Sequence, residues 1–433
     1  MKKLLIISTI IVLLVCGVYA YYSNTPIASQ PEPLKSIGVA FRDFFPLGGE
    51  PVATDTTTPP DSTTPDTSEP LPPVVEKVDP LVQLSTTPIA GFGFTSGEKT
   101  VTESASLVAT STGIKKSIVK ISLIRYIEKA TGHIFERELP GGSEAQVANT
   151  TLPGAQEALV AGSTALYRYL DTNGHTIKTF SGILPTPEAD GSFPEMKGTF
   201  LTDDTLAITL SPDLKKIFTL IPFDSGVMGN VSELDGTKKT KVFDSAFTEW
   251  LPQWVGATTV VLTTKASGLA PGFAYLLDTN KKSFSRLMGN ISGLTTNTSP
   301  SVKYSLYSTS ITGGFESNIF DVLSGSKIPL TKNTLPEKCT WSKTSLWVIC
   351  AVPDTIPTGI YPDIWYQGRV SFTDTFWKID AKTGVAVFIE SPFKDKKLSL
   401  DAINLALDPD ESHLYFIDKT KENLWQLSLS TAQ

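Results

Sequence analysis

Residues 210–220 read LSPDLKKIFTL, a Ser-Pro-Asp corner set between a polar approach and a short apolar run. Imperfect copies follow at LPQWVGATTVVLT (251–263), TSPSVKYSLYST (298–309), TWSKTSLWVICAV (340–352) and ALDPDESHLYFID (406–418). Proline presets the backbone of a turn, and Asp or Ser can bond the backbone that follows. A chain that repeats one corner this way has to reverse its strands at regular intervals.

A second pattern alternates with the first: an apolar strand, a turn rich in Asp, Asn and Gly, then a short strand. It appears at IRYIEKATGHIFERE (124–138), LYRYLDTNGHTIKTF (166–180), NVSELDGTKKTKVF (230–243) and FAYLLDTNKKSFSRL (273–287). It continues at NIFDVLSGSKIPL (318–330) and FWKIDAKTGVAVFIE (376–390), and LWQLSLSTAQ (424–433) stops where the chain stops. The period of about 40–60 residues suits the blades of a β-propeller. The expected blade has four strands: Ser-Pro-Asp corner after the first, loop after the second, Asp-Gly turn after the third. Near the start, VQLSTTPIAGFGF (82–94) has the character of an outer strand with no blade before it. If Leu81–Ser85 supplies the outer strand that the last copy lacks, seven blades close into a ring with no open edge. Six or eight blades remain as alternatives.

These repeats resemble the bacterial TolB-like, WD-repeat-related β-propellers, whose blades carry S-P-D-G-K before an apolar strand. The match is good at Ser211-Pro212-Asp213 and partial at Asp408-Pro409-Asp410, and Leu214 stands where the family has glycine. The resemblance covers residues 78–433 and implies fold; propellers host many unrelated functions. The additional α/β domain of the periplasmic Tol protein is expected to have no counterpart here, since the expected anchor and stalk occupy that position, which argues against a Tol-system role.

Before the repeats, MKKLLIISTIIVLLVCGVYAYY carries two lysines and then no charge from Leu4 to Tyr22. That is about the ~20 residues a membrane-spanning helix needs, with the lysines left in the cytoplasm. Residues 1–22 are therefore expected to be a single-pass anchor at the cell membrane, with the remainder extracytoplasmic. A cleaved signal peptide ending at Val18-Tyr19-Ala20 is the alternative, and would leave a secreted or periplasmic protein. Residues 23–77 form a linker. Within it, Leu34, Ile37, Phe41 and Phe44 or Phe45 approximate helical spacing over 33–46, and VATDTTTPPDSTTPDTSEPLPP (52–73) has too little apolar surface to order itself. The segment 52–73 is expected to be a disordered, semi-rigid stalk.

Cys339 and Cys350 are symmetric about a turn near Thr344–Ser345, so they can face each other as a disulfide or sit as two small buried hydrophobes. Net charge is −7 without a basic stripe, which argues against nucleic acid. His133, His175 and His413 have no metal-ligand spacing to one another, and no G-x-S-x-G elbow occurs. No catalytic residue, metal or cofactor is assigned. Asp235, Asp278 and Asp380 recur at blade turns and are expected to cap them.

The connections 184–197, 221–229, 264–272, 310–317 and 353–374 are read as long loops gathered on one face. The last holds Tyr361, Asp363, Trp365, Tyr366 and Arg369; Phe223, Asp224 and Phe315 come from its neighbours. Aromatics with Arg suit an interface, while Trp365 and Tyr366 could equally fold down as a plug. The expected role is a non-catalytic binding or scaffold module for an envelope protein, peptide or glycan. The alternatives are a glycosidase- or lyase-like enzyme with carboxylates in the central funnel, and a structural subunit of an envelope assembly.

Overall fold

The computed structural model describes residues 79–103, 115–188 and 190–429. The expected anchor (1–22), the helical segment at 33–46 and the stalk lie outside them. Among the described residues no helix is long and apolar enough to cross a membrane.

Seven four-stranded antiparallel sheets follow one another along the chain. Blades 1 to 6 span 89–146, 155–200, 207–245, 250–292, 296–329 and 339–390. Blade 7 takes three strands from 402–428, and its fourth is the strand Leu81–Gln83 from the other end of the chain. Leu81 faces Leu427, Val82 faces Gln426 and Gln83 faces Trp425, which is the closure expected from the orphan strand. First strands of neighbouring blades approach one another around the centre, so each blade's fourth strand is outermost. Apolar side chains fill the spaces between blades. Leu81, Leu414, Phe416, Trp425 and Leu427 of blade 7, for example, pack on Ile349 and Phe376 of blade 6.

The Ser-Pro-Asp corner and its copies join first to second strands, and one backbone geometry underlies them. In four blades the fourth turn residue is left-handed: Leu214, Val302, Ser345 and Glu411, with φ of 58°, 59°, 60° and 55°. Each donates its N–H to the carbonyl three residues earlier, on Ser211, Ser299, Ser342 and Asp408. Ser211 Oγ accepts from Lys216 N at 2.9 Å and donates to Asp213 Oδ1 at 2.6 Å. Glycine would hold this fourth position without strain, whereas this chain places side-chain residues there.

The Asp turns act as caps. Asp278, Asp321 and Asp380 each accept two backbone N–H bonds through Oδ1. Backbone bonds foremost hold the Asp278 and Asp321 carboxyls below the ordinary range, and for Asp380 the Thr383 hydroxyl does so first, with the backbone bonds after it. In blades 3 to 6 these turns join third to fourth strands as expected. In blades 1 and 2 the segments 124–138 and 166–180 instead join second to third strands, so they lie on the other face. An Asp-Gly turn caps any hairpin, and its sequence does not say which.

Two further expectations are corrected. Segments 221–229 and 310–317 are not long loops but hairpins, turning at Asp224-Ser225 and Thr312-Gly313. Segment 184–197 joins third to fourth strands and belongs to the face of the Ser-Pro-Asp turns, the turn face. The opposite, loop face carries the second-to-third connections. Blade 1 also departs from the pattern. Its first two strands, Ile89–Glu103 and Lys115–Glu128, stay paired out to Glu103–Lys115, well past the level where Arg125 donates to the Gly162 carbonyl at the blade 2 turn.

Leu214→Gly should remove left-handed strain with little loss of packing, since Leu214 is exposed. It is expected to raise stability by up to about 1 kcal/mol in urea melts, net of glycine's greater freedom when unfolded. A fall would show that the Leu214 side chain matters more than its backbone.

Candidate functional site

The second-to-third connection of blade 6, residues 354–373, is the long element on the loop face. Asp363 anchors it sideways: its carboxylate accepts from Ser267 Oγ at 2.8 Å and Gly268 N at 2.7 Å on blade 4. A Cβ on Gly268 would come within 2.6 Å of the Ile360 side chain and 2.7 Å of the Tyr361 carbonyl, so the two loops meet only because this residue has none. Phe315, Tyr361, Trp365 and Phe372 then form a buried aromatic cluster under the loop.

Below that cluster lies a set of charges that the sequence reading did not pick out. Lys338 ends the 3-10 turn Pro336–Lys338, Asp374 opens the strand Asp374–Asp380, and Asp401 precedes the strand Ala402–Leu407. All three are fully buried. Lys338 Nζ is 2.7 Å from Asp374 Oδ2, is ion-paired with Asp401, and donates to the Ala402 carbonyl at 3.0 Å. Asp401 Oδ2 accepts from Trp365 Nε1 at 2.9 Å and Phe372 N at 3.1 Å, so one carboxylate ties the long loop to blades 6 and 7. Lys419 Nζ adds a bond to the Trp365 carbonyl at 3.0 Å. Two carboxylates share one ammonium here. Burial pushes the Asp374 carboxyl up to about 6, helped by the nearby Asp401 and opposed by Lys338. Asp374 Oδ1 has no hydrogen-bond partner, consistent with a group that is costly to ionise. At the surface edge of the cluster, Tyr366 donates to Glu337, whose carboxyl burial also pushes up.

The residues expected at the site separate into two groups. Tyr361, Trp365 and Phe315 are buried and build the loop, and Asp363 is spent on blade 4. Tyr366, Arg369, Phe223 and Asp224 reach the surface. They are joined on the loop face by apolar residues outside the expected set: Leu251, Leu269, Ile311 and Ile360, of which Leu269 is 77% exposed. Cys339 and Cys350 lie directly opposite each other in register and are joined as a disulfide. In the central funnel, the first strands of the ring carry few carboxylates among the described residues. Glu157 is paired with Arg168, and Glu98 and Glu103 sit on the blade 1 extension.

No family model and no curated protein matches the sequence. Among solved structures, TolB from Acinetobacter baumannii is similar over 77% of this chain and 79% of that chain, with 12% identity and a TM-score of 0.39. An oligogalacturonate lyase in complex with manganese matches over 79% and 98%, with 9% identity and a TM-score of 0.47. An acylaminoacyl peptidase from Pyrococcus horikoshii matches over 60% and 42%, with 10% identity and a TM-score of 0.40. Scores this low carry no functional argument; the strand pairing itself establishes the seven-bladed propeller.

Two stability measurements test the charge cluster. Removing one partner of a buried pair strands the other, so Asp401→Ala should destabilise by about 3–5 kcal/mol in denaturant melts. Because Asp374 holds its proton more tightly folded than unfolded, its contribution is full at low pH and is lost as pH rises. Wild-type stability relative to Asp374→Asn should therefore fall by up to about 3 kcal/mol between about pH 4 and 6, then level off. A pH-independent difference would mean that Asp374 titrates normally.

Proposed function

We propose that this chain is a membrane-anchored, extracytoplasmic, non-catalytic propeller that binds a protein partner through its loop face. The observation that carries this reading is the set of exposed apolar side chains on that face. Phe223 of blade 3, Leu251 and Leu269 of blade 4, Ile311 of blade 5, and Ile360 and Tyr366 of blade 6 all belong to it. The loops bearing Leu269, Ile311 and Ile360 meet, since Gly268 packs against Ile360 and Ser310. Arg369 and Asp224 add charge among them, the mixture that protein interfaces use. Extended exposure of large apolar residues on one face marks an interaction site.

The buried cluster supports the same reading from beneath. A loop fixed by Asp363 and Asp401 presents Ile360 and Tyr366 already in place, which lowers the ordering cost of binding. The Cys339–Cys350 disulfide and the apolar, charge-free stretch from Leu4 to Tyr22 are the features that support an exported domain.

The test is capture from native membranes by the detergent-solubilised full chain, beside Leu269→Asp and Ile360→Asp variants with unchanged melting. Loss of a hot-spot contact of about 2 kcal/mol should reduce recovery of the specific partner roughly thirtyfold. Equal capture by wild type and both variants would remove the loop face from the reading.

A further inference from the structure

A second candidate site lies between blades 2 and 3. Blades 3 and 4 meet through large apolar side chains, Phe218 and Leu220 against Trp250 and Leu262. Between blades 2 and 3 the buried apolar contact rests on Leu166, Ile208 and Ile217, and polar residues fill the rows beside them. Leu166 pairs with Ser181, Ile217 with Ser232, and Thr219 with both Ile208 and Asn230, so these polar residues share the facing surfaces. Arg168 and Thr179 form the next row of blade 2, and Arg168 Nη2 donates across to the Thr205 carbonyl at 2.6 Å. Arg168 Nε, Thr179 Oγ1 and Asn230 Nδ2 are buried with no hydrogen-bond partner among the described residues. The hydroxyls of Thr219 and Ser181, residues only 6% and 4% exposed, have none there either. At the mouth of the central channel, where Leu405 closes the blade 7 side, Gln253 instead donates to Asn297 Oδ1 at 3.0 Å and Asn297 to the Cys339 carbonyl at 2.7 Å. Buried hydroxyls and amides are costly to leave unbonded. A cluster of them beside open space marks a place where a bound molecule supplies the partners.

Two hollows lie along these walls. One, of about 320 Å³, sits between the connection 201–206 and the turn 234–239, with Thr219 and Ser232 in its walls. Gly236, at φ 81°, lets that turn come close: a Cβ there would stand 2.7 Å from Leu201 Cδ2. The other, of about 680 Å³, opens on the turn face, with Ser181 in its wall and Ile183 and Leu214 exposed along it. They adjoin at Asp235, which lines both. Each has the size of a small-molecule site, many times the ~30 Å³ of one water. Charges along the larger hollow balance, Lys197 and Lys215 against Glu233 and Asp235. In the smaller one, Lys239 donates to Thr202 Oγ1 at 2.8 Å, and Asp235 accepts from Thr237. An uncharged ligand rich in hydroxyls suits these walls. Its hydroxyls both donate and accept, as Thr219 and Ser181 do, and the C–H faces of a sugar ring can cover Ile183 and Leu214.

We propose that the space between blades 2 and 3 binds a short neutral saccharide, with one ring against Thr219 and Ser232 in the smaller hollow and the next running past Ser181 onto the turn face. The site shares no residue with the loop face, so the chain can hold a sugar and a protein partner at once.

The test is saturation-transfer difference NMR on the full chain, held in a detergent lacking a sugar head group, with maltose, cellobiose, lactose and N,N′-diacetylchitobiose as probes. Transfer to the ring protons of at least one is expected. Thr219→Val and Ser181→Ala each remove a hydroxyl at nearly constant shape. Each should weaken binding about tenfold, which corresponds to about 1.4 kcal/mol, with melting unchanged. Leu269→Asp, on the loop face, should leave binding as it is. If one variant fails to fold, the wild type and the other variant decide. No transfer to any of the four sugars would leave water alone in the space and overturn the proposal. Transfer that a folded Thr219 or Ser181 variant leaves unchanged, or that Leu269→Asp abolishes, would overturn it as well.

Discussion

A ring of sheets has two ends, and three residues decide whether they meet. Leu81–Gln83 pair with the strand Leu424–Ser428, and Leu81 and Leu427 are both buried against blade 6. Without that strand, blade 7 would expose an unpaired edge and part of its apolar face, the arrangement that invites pairing with other chains. Everything central depends on this closure. The channel mouth exists because blade 7 brings Leu405 to it, and the buried charges exist because blade 7 brings Asp401 beside Lys338.

The charge cluster shows how one propeller blade can set the shape of another's loop. Lys338 belongs to the approach to blade 6, Asp374 to the third strand of blade 6, and Asp401 to the approach to blade 7. Burying them is costly unless every partner is present. Once assembled, they leave the loop over blade 6 a single seat, with Trp365 and Phe372 both bonded to one carboxylate. That seat is what turns a sequence rich in aromatics from a floppy connection into a fixed surface.

Fold was legible because blade turns are local. Ser211 and Asp213 satisfy each other and the backbone within a few residues, and the left-handed fourth position recurs on Leu214, Val302, Ser345 and Glu411. The closing strand was legible as an orphan beside a copy that ended early. Segments 221–229 and 310–317 read as loops because Asp224-Ser225 and Thr312-Gly313 are weak versions of two-residue hairpin signals; the positive φ of Asp224 and Gly313 is what makes them turn. Lys338, Asp374 and Asp401 were invisible because nothing in their own segments marks them. The ring brings them together across more than sixty positions. Tyr361 and Trp365 stand out in sequence as large aromatics in a long loop, but both are buried in the loop's own core.

The extension of blade 1 has a consequence of its own. From Phe94–Ile124 to Glu103–Lys115 the two strands continue as a ribbon beyond the level of the blade 2 turn. Ten residues of strand measure roughly 33 Å. The ribbon starts at the turn face, where the chain also enters at Pro80. Beyond Leu123 the strand Lys115–Glu128 has no second partner in the sheet among the described residues, so the ribbon runs two strands wide where the rest of the blade runs four.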